Sequence, residues 1–479
     1  MRKLALSIFL VSIVQFAAFS QTCLPDGIVF ETQDQIDSFQ TDYPGCAEII
    51  GPVEIGGGFI NNLNGLSNIT SIGGTLTIYS TGSLDDLTGL ENLASIASTF
   101  LITSSHFENM IGLNNLSYIG GSFFINVNSL LVDLTGLENL AFIGGSLVVR
   151  MNPTLVDFSG LSGLDSIQGE LFVKNNDAMM SLNGIDSLSF LGASIKIQSN
   201  EKIQNVVGLE NIGVLTGTLS LEFNDSLLHI SGLENLTYIE GDLMIRGNGL
   251  LTSLNPLSNL DSVGGDFSLI GNGIRHVHGL DKLKSTGGQF VFVGNEIVKN
   301  FSGLDSLHSI GGNLIISYNE KLESLQGLDM IEAASIGNLT ITDNNLLTYC
   351  EVKSVCDYLA AGSDTISIEE NSQGCNSQNE VVLACQTVSV NEENINKQLS
   401  IYPNPFKTTT TIQYQIHQPQ TVQISIFNHL GKLVHFIQEN QSMGKQQVLW
   451  DASGLPSGMY YFTVRFGDEM ARGKMVVIR

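Results

Sequence analysis

Ile310-Gly311-Gly312-Asn313-Leu314-Ile315-Ile316-Ser317-Tyr318-Asn319 is the stretch from which the fold can be read. Leu314 and Ile316 alternate with Asn313, Ile315 and Ser317, the period of a short strand with one face inward. The glycine pair ahead of it supplies a turn, and Asn319 stands where the strand ends. The same grammar extends in both directions. A Gly-Leu step (Gly-Ile once) recurs at Gly65, Gly89, Gly112, Gly136, Gly160, Gly184, Gly208, Gly232, Gly279, Gly303 and Gly327, with Pro256-Leu257 in the remaining place, at spacings of 23 or 24 residues. Such a unit leaves little room for a helix of several turns. The sequence therefore predicts a mainly β chain, a right-handed parallel β solenoid of about 12 repeats of 24 residues. At about 4.8 Å per turn the array would run roughly 58 Å.

Asn128, Asn152, Asn176, Asn200, Asn224, Asn248, Asn272, Asn295, Asn319 and Asn344 occupy one place in ten successive units, with Thr81 and Ser105 there earlier. A side-chain amide both donates and accepts, so a stacked column can satisfy corner backbone groups that no strand ladder reaches. These residues are read as structural.

The chain has 479 residues, 14% of them charged and 43% hydrophobic, which excludes wholesale disorder. Its formal net charge of −26 offers nothing to a phosphate backbone, so no nucleic-acid partner is expected. The charge is uneven. Residues 397–479 hold eight basic and four acidic residues, net +4, whereas residues 21–396 hold eleven basic and 43 acidic ones, net −32. That step marks two modules joined by a polar linker at 389–398.

Arg2 and Lys3 precede the apolar run Leu4 to Phe16, and Ala18-Phe19-Ser20 presents small residues, so residues 1–20 read as a signal peptide cleaved before Gln21. No later run reaches the ~20 apolar residues of a membrane-spanning helix, so none is expected in the mature chain. Six cysteines in an exported chain favour disulfides: Cys23 with Cys46, and two bridges among Cys350, Cys356, Cys375 and Cys385 in an open pairing. No Cys-x-x-Cys or His-x-x-x-His pair points to zinc. Solenoid ends need covering. Residues 21–60, with a short helix after Thr32, form the expected N-terminal cap, residues 61–345 the array, and residues 346–388, with a helix within Tyr349 to Ala361, the stapled C-terminal cap.

The Leu-x-x-Leu, Ile-Gly-Gly and Leu-x-Ile elements of the array resemble leucine-rich repeats and, more closely, the receptor L-domain family, over about residues 45–345. The resemblance implies a solenoid and a habit of binding partners. Unlike the animal receptors, this array has no cysteine-rich module between two halves, so a hormone-receptor role does not carry over.

Residues 399–479 alternate as six or seven short strands, a small antiparallel β-sandwich. Tyr402-Pro403-Asn404-Pro405-Phe406, Gly431-Lys432-Leu433-Val434, Leu455-Pro456-Ser457-Gly458-Met459-Tyr460 and the basic last strand with Lys474 closely resemble the type A sorting domain of the type IX secretion system, a family of Bacteroidota. The resemblance implies two partners, the outer-membrane translocon and its sorting-domain peptidase, and a mature protein released or anchored to surface lipopolysaccharide.

No catalytic or phosphate-binding signature occurs, so no enzyme activity, catalytic residue, metal or cofactor is expected. His276-x-His278 reads as a turn feature. Six Asn-x-Ser/Thr triplets, at Asn68, Asn115, Asn224, Asn235, Asn300 and Asn338, read mostly as by-products of the repeat. One outward strand place runs along the array as Thr77, Leu101, Phe124, Val148, Phe172, Lys196, Ser220, Met244, Ser268, Val291, Ile315 and Thr340. Four successive units there carry large apolar groups, with Arg150 and Lys174 beside them and Arg246 farther on. Leu101, Phe124, Val148, Arg150, Phe172, Lys174 and Lys196 form the candidate contact surface for an extracellular protein or glycan. Two alternatives compete. Asp242 and Asp266, on adjacent turns with Glu222 and Arg246 near, suggest a polysaccharide-active enzyme, and a featureless rod would suit a passive spacer.

Overall fold

A computed structural model describes residues 21–362, 365–386, 399–416, 418–428, 432–466 and 469–478. The expected signal peptide (residues 1–20), the expected linker (389–398) and Gly431 lie outside the described residues. The chain forms two compact units, Met1–Asn376 and Ser377–Arg479.

The first unit is the solenoid. Each turn gives one short strand, four residues long except at the three-residue start, to a long parallel sheet of 15 strands, which starts at Ile28–Phe30 and ends at Ile366–Glu369. Neighbours pair one unit apart, as in Phe123↔Leu147 and Leu147↔Leu171. Shorter strands on the opposite side, two residues long apart from Gln21–Cys23 and Cys46–Ile49 in the N-terminal cap, form an eight-stranded and a five-stranded sheet. The twelve Gly-Leu units account for Leu76–Tyr79 through Leu339–Thr342; the caps add Ile28–Phe30, Val53–Gly56 and Ile366–Glu369. The caps thus continue the coil, although their sequences lack the Gly-Leu step. Inside one turn, Leu131, Leu134, Leu137, Leu140, Ile143, Leu147 and Val149 are all 0% exposed, each side chain gaining about 1.5–3 kcal/mol by leaving water.

The Gly-Leu step is fixed sterically. Gly160 has φ 107°, and a Cβ there would lie 2.0 Å from the Leu134 carbonyl oxygen of the preceding turn. The acidic residue two places on completes this corner. The N–H groups of Gly89, Gly136, Gly184, Gly208, Gly232, Gly279, Gly303 and Gly327 donate to the carboxylates of Glu91, Glu138, Asp186, Glu210, Glu234, Asp281, Asp305 and Asp329. Part of the array's negative charge is therefore structural.

The asparagine column forms as the sequence predicts. Asn200 is fully buried. Its Oδ1 accepts the Asn176 backbone N–H at 3.0 Å, and its Nδ2 donates to the carbonyls of Val173 (3.2 Å) and Gln198 (3.1 Å). The bond to the next backbone N–H repeats from Ser105 to Asn344, and Asn371 adds a member that the regular spacing does not reveal. Thr81 Oγ1, in the same column, is buried without a partner. The residue before each asparagine turns the corner in the left-handed region: Val127, Met151, Asn175, Ser199 and Phe223 have φ between 54° and 60°.

Helix α1 (Gln33–Asp42) starts on a Thr32–Gln35 capping box and buries Ile36 and Phe39 at the N-terminal end. Helix α2 (Lys353–Ala361) buries Val355 and Tyr358 at the other end, the Tyr358 hydroxyl donating to the Gly337 carbonyl at 2.6 Å. Disulfides join Cys23 to Cys46 and Cys350 to Cys375. Cys356 and Cys385 are disulfide-bonded too, and no described cysteine is free.

The second unit packs a three-stranded antiparallel sheet (Ser400–Tyr402, Thr409–Ile416, Gly444–Asp451) with a four-stranded one (Leu433–Gln441, Gln420–Asn428, Gly458–Phe466, Glu469–Val477). Ile412, Trp450, Ile424, Phe462 and Met475 share its core.

Candidate functional site

The outer face of the long sheet carries the residues singled out from the sequence. Thr77, Leu101, Phe124, Val148, Phe172, Lys196 and Ser220 lie side by side in register on successive strands. Leu101, Phe124 and Phe172 are half-buried, with part of each side chain left to solvent. Val148 corrects the expectation of an open strip: it is only 6% exposed, because Phe124 and Phe172 flank it in register and the shorter valine sinks between them. It is the floor of the strip. Lys196 is a second correction. Its ammonium reaches the Glu170 carboxylate at 2.9 Å, so it closes one end of the strip as an ion pair and offers no free cation.

Arg150 and Lys174 lie two residues along from Val148 and Phe172 and are themselves paired in register. Arg150 Nε donates to Asn126 Oδ1 at 3.3 Å, which orients the guanidinium. Among the described residues neither cation makes an ion pair. Arg246 is occupied differently, its guanidinium 5.2 Å from the Phe223 ring centroid. On the other side of the apolar row the strip has a row of hydroxyls. Ser122 Oγ accepts the Ser146 N–H and Ser146 Oγ the Glu170 N–H, both at 3.0 Å.

Asp242 and Asp266 continue that same row. Asp242 Oδ1 accepts the Asp266 N–H and Asp266 Oδ1 the Gln289 N–H, each at 2.8 Å. Glu222 accepts from Gln198 at 2.9 Å and from Ser220 at 2.6 Å. Among the described residues no group of three or more His, Cys, Asp or Glu side chains is placed to hold a metal. His278 Nδ1 lies 3.2 Å from Asp281 Oδ1 at a corner, with His276 beside it. Burial works against ionisation of Asp281, but the Gly279 N–H and the His278 ring outweigh it and hold the carboxyl below its ordinary range. The triplet asparagines belong largely to the scaffold: Asn224 lies in the buried column, while Asn115 and Asn235 donate to carbonyls of the preceding turn.

Two surface features escape the sequence reading. On the short sheets, Tyr118, Phe190, Val214 and Tyr238 are exposed large side chains at the place before the buried Ile or Leu, and Tyr118 stacks on Phe142 at 5.1 Å. The signal was present in the position before Ile-Gly-Gly, but serine fills that place in seven of the twelve units. At the left-handed corner, Met151, Pro153 and Phe223 bound a shallow groove of ≈ 650 Å³ over Asn175 and Ser199, beside Asp177, Glu201 and Asp225.

In the second unit, Asn404 ties the entry motif to the last strand. Its Nδ2 donates to the Lys474 carbonyl at 3.1 Å, and its Oδ1 accepts the Val476 N–H at 2.8 Å. The bonds Tyr402-Pro403 and Asn404-Pro405 are cis. Tyr460 is buried against Trp450, its hydroxyl donating to the Pro456 carbonyl at 2.9 Å, so the Leu-Pro-Ser-Gly-Met-Tyr segment gives Tyr460 to the core, with Leu455 packed against it, while Pro456, Ser457 and Met459 stay exposed around Gly458. Tyr402, at 80% exposure, and the Lys474 side chain face solvent.

Residues 400–478 match the secretion system C-terminal sorting domain, and residues 45–120 match the receptor L domain. No curated protein and no solved structure matches the chain. The receptor L-domain match covers the first turns, and the strand register continues unbroken from there to Glu369. No described helix is long and apolar enough to cross a membrane. The tail is a type IX secretion sorting domain and the array a receptor L-domain-like β-solenoid, so this is a repeat protein exported to the cell surface or the extracellular space.

Proposed function

We propose that the exported solenoid is a binding module and not a catalyst, and that it recognises an extracellular protein or glycan through the outer face of its long sheet. The observation that carries this reading is the strip from Leu101 to Phe172. Leu101, Phe124 and Phe172 keep apolar surface toward solvent on neighbouring turns while Val148 packs beneath them. A rigid row of large side chains on a pre-formed sheet orders little on binding, which favours affinity. The engagement of Asp242 and Asp266 with backbone N–H groups supports a structural part for those carboxylates.

The test is the double variant Phe124→Ser/Phe172→Ser in the mature protein, compared with wild type on a glycan array and in pull-downs from the organism's surroundings. Binding should be lost while the unfolding temperature moves little, because both rings already touch solvent. Retained binding would remove this face as the site.

A further inference from the structure

We infer that the sheet-face strip takes a short acidic glycan, whose carboxylate or sulfate groups are held by Arg150 and Lys174. This rests on the sheet-face reading above and deepens it. Residues 21–396 hold only eleven basic residues against 43 acidic ones, yet two of the eleven stand side by side in register, Arg150↔Lys174. Like charges directly opposite on neighbouring strands destabilise a sheet. Carboxylates are abundant in this chain, but the described ones leave both cations unpaired. The other two cations of this face are committed, Lys196 to Glu170 and Arg246 to Phe223. Glu170, the carboxylate in the strip's own hydroxyl row, is paired with Lys196; Glu222, in the cation row two strands beyond Lys174, accepts from Gln198 and Ser220. What remains is a pair of adjacent cations with no ion-pair partner among the described residues, complementary to an anion.

Size selects the class of partner. Four turns at about 4.8 Å, each crossed by three outward rows some 13 Å wide, give roughly 250 Å², whereas a stable protein interface covers about 800 Å² per partner. The strip suits a few sugar rings. Its rows match that chemistry: hydroxyls of Ser122 and Ser146 on one side, the apolar Leu101, Phe124 and Phe172 in the middle for the C–H faces of sugars, and the two cations on the other side. The face also offers no free strand edge for an added peptide strand, since each of these strands is paired on both sides.

The experiment is calorimetric titration of the mature protein with four probes: tetragalacturonate, its neutral methyl ester, a heparin-derived sulfated tetrasaccharide, and a hexaglutamate peptide. At least one anionic tetrasaccharide should bind one-to-one, the ester at least tenfold more weakly, and binding should weaken as salt is raised. Which of the two anionic sugars binds assigns the group as carboxylate or sulfate. Arg150→Gln/Lys174→Gln should weaken binding at least tenfold without lowering the unfolding temperature, since the like-charge pair is removed. No binding of either anionic sugar at millimolar concentration, or equal binding of the ester, overturns the inference. Tighter binding of the peptide overturns it in favour of an acidic protein. If the ester binds and Phe124→Ser/Phe172→Ser abolishes that binding, the anionic inference fails while the sheet-face reading stands. If an anionic sugar binds and neither double variant alters it, both fail.

Discussion

Replacing Asn200 by alanine should cost the array about 2–4 kcal/mol, more than one hydrogen bond is ordinarily worth. Asn200 sits mid-column at 0% exposure. Its amide accepts the Asn176 N–H at 3.0 Å and donates to the Val173 carbonyl at 3.2 Å. Alanine would leave the buried Asn176 N–H without a partner, costing about 1–3 kcal/mol in lost solvation; the Val173 carbonyl, which also belongs to the sheet ladder, would lose its second donor, and the link to Asn224 Oδ1 at 3.3 Å would go as well. The converse substitution, Ser105→Asn, should give the Thr81 corner the amide that later turns possess and stabilise by about 0.5–1.5 kcal/mol. The assay is urea unfolding followed by circular dichroism, with hydrogen exchange at the Asn176 amide to localise the effect, since repeat arrays can open in parts. A loss below 1 kcal/mol for Asn200→Ala, with the Asn176 amide still protected, would refute the view that the column satisfies the corner backbone.

Three further outcomes follow. Gly160→Ala places a methyl 2.0 Å from the Leu134 carbonyl at φ 107°, so it should destabilise by more than about 4 kcal/mol; a midpoint within 1 kcal/mol of wild type in urea would contradict the steric account. Removing Leu455 to Arg479 deletes two of the four strands of one sheet, so the sorting unit cannot close and the protein should accumulate in the periplasm; cell fractionation showing normal surface delivery would contradict this. Asp281 has its folded pKa lowered, so its contribution is full above the unfolded value of about 3.9 and is lost as pH falls through the folded one. The stability gap between wild type and Asp281→Asn should therefore be present at pH 7 and shrink as pH falls below the unfolded value of about 3.9, and a gap that does not change with pH would place its cause elsewhere.

Much of the first unit was legible because each turn repeats the one before. Inward leucines, the glycine corner and the asparagine column recur at a fixed interval, and a residue stacked on its own kind behaves as its neighbour does. Legibility faded at the ends. Ile28–Phe30 and Ile366–Glu369 join the long sheet without the Gly-Leu step, and Asn371 extends the column after an irregular interval. The sorting motif was legible as a pattern, but its division of labour was not: Tyr460 is packed against Trp450 whereas Tyr402 is bare.

The sequence by itself determined the coil, its period, its roof of amides and its export, since these depend on local alternation, on glycines with no room for a side chain, and on a tail with an ordered set of motifs. Only the tertiary structure decided which outward side chains are free. Val148 sinks because longer neighbours stand one turn away on either side, and Lys196 is spent on Glu170 because stacking brings that carboxylate within reach. Accessibility and pairing belong to groups some two dozen residues apart in the chain, whose separation is set by the stacking of turns and by the reach of each side chain.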